Sequence, residues 1–149
     1  MTIVTKLGKF CLKVLACGLV LTSVISTTGC NKNTISDNAL SEYNRLSSLA
    51  LDSLGVLKIH DADSYDKYKN DLKNTLGYDV YTEYFSAKEY TGYETSEPLI
   101  TVKSIKGDIS NEEKSIFKID IEYLSDTYKD NATMLITVED GRVTYIERI

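Results

Sequence analysis

The chain has 149 residues, with 22 acidic and 17 basic side chains and a formal net charge of −5 at pH 7. This length suits one ordinary domain, since a core of that size buries enough apolar surface without dividing into separate units. The acidic balance argues against nucleic-acid binding, because that affinity depends on Lys and Arg side chains that neutralise phosphates.

The N-terminal residues have the pattern of an export signal. Three lysines, Lys6, Lys9 and Lys13, precede a mostly apolar segment at residues 14–25, and this order is that of a secretory signal peptide. The apolar segment is too short to cross a membrane, because a bilayer core of ~30 Å takes about 20 helical residues. We therefore predict a processing signal rather than a transmembrane helix.

The four residues Thr27-Thr28-Gly29-Cys30 resemble the lipobox of bacterial lipoproteins. The resemblance implies cleavage after Gly29 by signal peptidase II, loss of residues 1–29, and a diacylglyceryl group on the sulfur of Cys30. It also implies a membrane location on the extracytoplasmic face, or in the outer membrane of a Gram-negative host. Two fatty acyl chains, palmitate being a common one, anchor a protein stably, whereas one chain binds marginally and reversibly.

Two other cysteines fit a lipobox less well. Cys17 ends the looser match Val14-Leu15-Ala16-Cys17, but Lys13 leaves no apolar segment before it. Cys11 follows Phe10, where the motif needs a small residue. At the Cys30 site, Thr27 stands where the family usually has Leu. A secreted or membrane-anchored protein without a lipid remains the alternative.

A lipidated Cys30 would leave a mature chain of residues 30–149 with a short tether at 30–35. This chain keeps 14 basic and all 22 acidic residues, so its net charge is −8. It retains only the acylated cysteine, and a disulfide is then impossible. The five residues after Cys30 reach at most ~18 Å, which predicts that the domain at 36–149 works close to the membrane.

The first half of the mature chain has helical periodicity. The spacing predicts one helix capped by Ser36 and ended by Gly55, and a second that begins near Ser64 and ends at Gly77. Residues 79–88 are a third helix or an extended segment, since Tyr, Val and Thr also favour strands. The apolar face of the first helix comprises Leu40, Tyr43, Leu46, Ala50 and Leu54.

Past Pro98 the apolar pattern changes to a period of two. We predict strands at residues 99–105 and 117–123, joined by a polar loop at 106–114. In the second strand apolar residues alternate with charged ones, which indicates one buried and one solvated face.

Asp140-Gly141 predicts a type I′ turn between strands at 134–139 and 142–147. A two-residue turn sets the register of the hairpin, because 139 must then face 142. The expected pairs include Val138 with Val143, Thr137 with Thr144 and Ile136 with Tyr145.

Helices followed by strands indicate an α+β domain. We expect two to three N-terminal helices packed on a C-terminal four-stranded antiparallel meander. Over residues 36–149 this order resembles the cone-shaped folds of the cystatin and nuclear-transport-factor type, with no diagnostic motif. A plain α+β sandwich is the alternative.

Residues that carry catalytic or metal chemistry are sparse, and we expect no cofactor, metal site or catalytic residue. The single histidine, His60, is predicted to be a surface loop residue without function. Residues 61–66 have carboxylates at the first and third positions of a calcium loop, but they lack its later glycine and glutamate. We interpret Asp63 and Ser64 instead as the cap of the second helix.

Tyrosine is unusually frequent, with 11 Tyr against 3 Phe and no Trp. Its ring is apolar and its hydroxyl polar, which suits ligand-binding surfaces, although core packing also explains a helical stripe of tyrosines. The residues that we expect to line a concave sheet face are Tyr123 and Tyr145, with Ile121 and Ile136. Tyr90 and Tyr93 are predicted to be an exposed pair.

Two functional hypotheses follow. The first is a non-enzymatic binding module that is anchored through Cys30 and recognises a protein or a small ligand, without nucleic acid. The alternative is a small exported hydrolase that uses Asp120 and Glu122, about 7 Å apart on one strand face, as acid and base. It requires a pocket that contains a carboxylate with a raised pKa.

Overall fold

The computed structural model describes residues 10–12, 37–92, 95–111 and 114–149. In this part of the chain three α-helices precede an antiparallel sheet, which confirms the α+β prediction. The helices are α1 (Asp37–Ser53), α2 (Ala62–Asp71) and α3 (Tyr78–Phe85), and a 3₁₀ helix, Leu54–Lys58, continues directly from α1. The lipobox, Ser36 and Tyr93 lie outside the described residues.

The sheet is a meander in which consecutive strands pair side by side. Its main strands are β2 (Leu99–Asn111), β3 (Lys114–Leu124), β4 (Lys129–Glu139) and β5 (Arg142–Arg148). A three-residue strand, β1 (Phe10–Leu12), pairs antiparallel with β2 at residues 105–107. This strand was not predicted, because it falls in the segment that the sequence assigns to the signal peptide.

The loop predicted at residues 106–114 is wrong, because β2 continues to Asn111. Gly107 lies in this extension, opposite Phe117 of β3. A Cβ atom at position 107 would lie 2.6 Å from the Phe117 ring and 2.7 Å from the Tyr43 ring. The glycine therefore allows two aromatic rings to pack against the strand, whereas the sequence pattern suggested a loop residue.

Gly55 also has a different role from the predicted one. It lies buried in the 3₁₀ helix and has no left-handed φ angle, so it is not a C′ glycine. A Cβ atom there would lie 3.0 Å from the ring of Tyr68. The missing side chain lets α2 pack closely against the 3₁₀ helix.

The cap of α2 is Asp61 rather than Asp63. The Ser64 amide donates to Asp61 Oδ1 at 2.7 Å, and the Asp61 amide donates to Ser64 Oγ at 3.0 Å. This reciprocal pair is a capping box in which serine replaces the usual glutamate. The helix ends at Asp71, earlier than predicted, and Gly77 instead precedes α3.

The segment at residues 75–77 covers one end of the outer edge of β5. The Gly77 amide donates to the carbonyl of Val143 at 2.7 Å, and the Val143 amide donates to that of Thr75 at 2.8 Å. Arg142 Nη1 donates to the carbonyl of Leu76 at 3.2 Å. These contacts satisfy backbone groups that an open sheet edge would leave exposed.

The type I′ turn is confirmed, since Asp140 and Gly141 have φ angles of 50° and 71°. The predicted register holds for only two pairs, Glu139–Arg142 and Val138–Val143. Thr144 then forms a bulge, and Thr137 faces Tyr145 instead of Thr144. Because side chains alternate between faces, the extra residue moves Tyr145 to the outer face and leaves it 46% exposed.

The core fills the space between the helices and the inner face of the sheet. On β3, Phe117, Ile119 and Ile121 are buried, while Lys114, Ile116 and Lys118 point outwards. The buried apolar side chains of the described residues all lie between Tyr43 and Val143. Residues 37–149 contain all of these side chains, and we expect that segment to fold without the N-terminal leader.

Helix α1 packs against strands β2, β3, β4 and β5. At the middle of α1, Arg45 and Leu46 border a groove with Ser115 and Gly141, at the end of the sheet where β4 turns into β5. The 3₁₀ helix that follows α1 lies at the opposite end, near the turn between β3 and β4.

Candidate functional site

A pocket of about 370 Å³ opens between the sheet and the helical layer. It lies at the end of the sheet where β3 turns into β4. Leu57 of the 3₁₀ helix and Tyr84 of α3 border it from above, and strands β3, β4 and β5 form its floor.

The floor is aliphatic, and its position follows from strand alternation. Ile121 of β3 faces Ala132 of β4, and Met134 lies two residues further along the same face. Because Ala132 has only a methyl group, it leaves open the space that Met134 and Ile136 fill farther along β4. The bulge at Thr144 brings Ile146, rather than Tyr145, to this floor.

Three tyrosines surround the opening. They are Tyr84 from α3, Tyr123 from β3 and Tyr128 from the turn between β3 and β4. The rings of Tyr123 and Tyr128 have centroids 6.2 Å apart and are inclined by 53°. Burial is the main cause that raises the pKa of Tyr84, and the charge of Glu83 is the smaller one. The hydroxyl of Tyr84 therefore stays neutral at physiological pH.

The charged groups at the rim pair with one another. Arg148 lines the pocket and forms an ion pair with Asp130. The Tyr128 hydroxyl donates to the same carboxylate at 2.8 Å. One carboxylate thus holds both a wall tyrosine and the guanidinium.

Of the predicted ligand residues, Tyr123 lines this pocket with its predicted neighbour Ile121. Tyr145 does not, because the bulge places it on the outer face, and Ile136 is fully buried. Tyr90 is half-buried rather than exposed: its ring lies 6.1 Å from that of Tyr65, and its hydroxyl donates to the carbonyl of Ile59 at 3.4 Å.

The sequence analysis missed Tyr84, Tyr128 and Arg148 as pocket residues. Tyr84 belongs to a segment whose helical or extended state the sequence left open. Tyr128 lies in a turn, where no periodicity operates. Arg148 reaches the pocket only through the register that follows the bulge.

The two carboxylates of the hydrolase hypothesis lie on the outer face, away from the pocket. Ser104 Oγ and Thr133 Oγ1 donate to Asp120 at 2.6 and 2.7 Å, and these bonds lower the pKa of Asp120. Glu122 forms ion pairs with Lys103 and Lys129 at 3.6 and 3.5 Å. Acid catalysis by Asp120 would require a shift of its pKa in the other direction.

His60 is more enclosed than predicted, with a side chain 13% exposed. Its Nδ1 atom lies 3.0 Å from the Lys58 carbonyl, and its Nε2 atom lies 3.4 Å from the carboxylate of Asp61. In the part of the chain that the structure describes, no three side chains form a metal-binding group. Nor is any helix of that part long and apolar enough to cross a membrane.

Comparison with protein-family models, curated proteins and solved structures finds no match to the chain. The pocket between the sheet and the helical layer is accordingly the feature on which a functional proposal depends.

Proposed function

We propose that the protein is an extracytoplasmic lipoprotein that is anchored through Cys30 and binds a small ligand without transforming it. The observation that supports binding is the pocket of about 370 Å³, lined by aliphatic and tyrosine side chains. Small-molecule sites are typically concave, mostly apolar and ~300–1,000 Å³ in volume, with a few polar groups. The three tyrosines and Arg148 supply such groups at the rim.

The anchor is tested by metabolic labelling with an alkyne analogue of palmitate in a bacterium that processes lipoproteins. We expect the full chain to be labelled and to sediment with membranes, and Cys30→Ser to remain an unlabelled precursor. Cys17→Ser is the matched control and keeps its label, since Cys17 would leave with the signal peptide. Equal labelling of the Cys30 variant would refute lipidation at this residue.

The ligand site is tested by fluorescence titration of residues 31–149 with N-phenyl-1-naphthylamine, a neutral apolar probe. We expect Tyr123→Ala to weaken binding about tenfold, because it removes one wall of the pocket. Tyr145→Ala is a matched control on the outer face and should leave the dissociation constant unchanged. If both substitutions changed the dissociation constant equally, the probe would bind outside this pocket. Circular dichroism of each variant checks that the domain is still folded.

A further inference from the structure

The charges and the size of the pocket restrict the chemistry of its ligand, if the proposed function is correct. From the pairing of its rim charges and its aliphatic floor, we infer that the pocket takes an uncharged, compact, mainly cyclic apolar molecule.

The floor offers no partner for a charged group. Its side chains are those of Ile121, Ala132, Met134 and Ile146, all of them apolar, and the strands that carry them pair with one another in the sheet. An ionised group placed against this surface would lose water without gaining a hydrogen bond, which is costly. Apolar atoms, by contrast, are favourably removed from water there.

The two opposite charges at the rim, on Arg148 and Asp130, offset each other, so the rim attracts neither an anionic nor a cationic ligand strongly. A ligand carboxylate that approaches Arg148 meets the carboxylate of Asp130, and a ligand ammonium that approaches Asp130 meets the guanidinium. The Tyr128 hydroxyl, which donates to Asp130, further satisfies this carboxylate. A charged ligand would therefore have to compete with the partner that each of these groups already has.

The tyrosines add aromatic surface without adding charge. Tyr84 stays neutral at pH 7, since burial raises its pKa. The inclined rings of Tyr123 and Tyr128 both line the pocket and offer aromatic surface to a flat or cyclic group.

The volume sets the size of the ligand. A water molecule occupies ~30 Å³ in the liquid, so a pocket of this volume has room for about a dozen non-hydrogen atoms. A bicyclic ring system with one small substituent fills this space, and the rest of a larger ligand, such as the phenyl group of N-phenyl-1-naphthylamine or most of a long acyl chain, would extend through the opening into solvent.

The test uses three naphthyl probes that differ in charge: 2-naphthalenemethanol, 2-naphthoate and 2-naphthylmethylammonium. Each is titrated by isothermal calorimetry into residues 31–149 at pH 7. We expect the neutral alcohol to bind at least about tenfold more tightly than either ion, because neither ion gains a free partner. A charged probe that binds as tightly as the alcohol would overturn the inference but leave the binding site intact. If none of the three probes binds, the proposed function itself fails.

One further substitution tests the reason for this preference. Asp130→Asn keeps the shape of the side chain but leaves Arg148 without its counter-charge, so binding of 2-naphthoate should improve about tenfold. Unchanged affinity for 2-naphthoate would show that charge pairing is not the cause.

A substitution that fills the pocket with a side chain tests whether the alcohol binds there. Ala132→Phe projects a ring into the pocket and should abolish binding of the alcohol. Asn131→Phe places the same ring one residue away on the outer face of β4 and should leave binding unchanged. Equal binding by both variants would place the probe outside the pocket, and loss in both would overturn the assignment to this face of β4.

Discussion

Asp120 shows how a residue with catalytic chemistry can have a structural role. It alternates with the buried residues Ile119 and Ile121, so it lies on the outer face of β3. There it accepts hydrogen bonds from Ser104 on β2 and Thr133 on β4, and thereby ties three strands together. The sequence shows a carboxylate on an amphipathic strand, but the two hydroxyl groups are distant in sequence and meet it only through strand pairing.

The stability that Asp120 contributes should depend on pH. The hydrogen bond from Ser104 makes the largest contribution to lowering the pKa of Asp120 below the ordinary value of 3.8, and the hydrogen bond from Thr133 makes the next largest. The charges of Lys106 and Lys118 contribute less. A carboxyl whose pKa is lower in the folded state stabilises the fold above its unfolded pKa. This stabilisation is lost as the pH falls from about 4 through the lowered folded value.

We predict that Asp120→Asn lowers the free energy of unfolding by about 1 kcal/mol at pH 7, a modest value because the site is partly solvated. The difference from the native chain should shrink between pH 4 and pH 2. Urea unfolding of residues 31–149 across this range measures it, and Asp140→Asn in the exposed turn is the control. A difference that grows towards low pH would contradict the assignment.

The bulge in β5 is the element that determines which side chains enter the pocket. Up to Val143 the hairpin follows the register that its turn dictates, and beyond Thr144 every side chain faces the other way. Turn chemistry is local, so Asp140 and Gly141 predict the turn correctly. The bulge is a response to packing, since Val143 and Ile146 both reach the inner side although they lie three residues apart.

The register beyond the bulge places position 146, and not position 145, against the floor of the pocket. Ile146→Tyr should therefore overpack the floor, which we expect to cost about 1–3 kcal/mol of stability and to abolish binding of the naphthyl alcohol. Tyr145→Ile is the matched control on the outer face and should preserve both properties. Chemical unfolding together with probe titration distinguishes these outcomes, and loss of binding in Tyr145→Ile but not in Ile146→Tyr would contradict the bulged register.

At the scale of the whole molecule, the middle of α1 lies at one end of the sheet and the pocket at the other, so the start of the helix points away from the pocket. Lys114 and Glu139 face each other at the α1 end, and Leu124 and Lys129 face each other at the pocket end. Ten residue steps of ~3.4 Å separate these ends by about 34 Å. If Cys30 holds the chain to a bilayer, we predict that the pocket opens away from the membrane, towards ligands in the aqueous phase.

This orientation can be measured on the processed lipoprotein in vesicles that contain brominated lipids. A fluorophore on Lys114→Cys should be quenched more strongly than the same fluorophore on Lys129→Cys, because the first position lies at the tethered end. Both side chains are exposed, so the labels should perturb the fold little. Stronger quenching at position 129 would reverse the proposed orientation.

Local patterns in the sequence determined the order of the helices and strands, the α+β class, the I′ turn and the buried face of β3. These depend on periodicity and on the φ angles that short segments prefer, which operate over a few neighbouring residues. Only the tertiary structure decided that Gly107 and Gly55 permit close packing, that β5 bulges at Thr144, and that Asp120 is held by two neighbouring strands. Each of these depends on side chains that are far apart in the chain and that packing brings into contact.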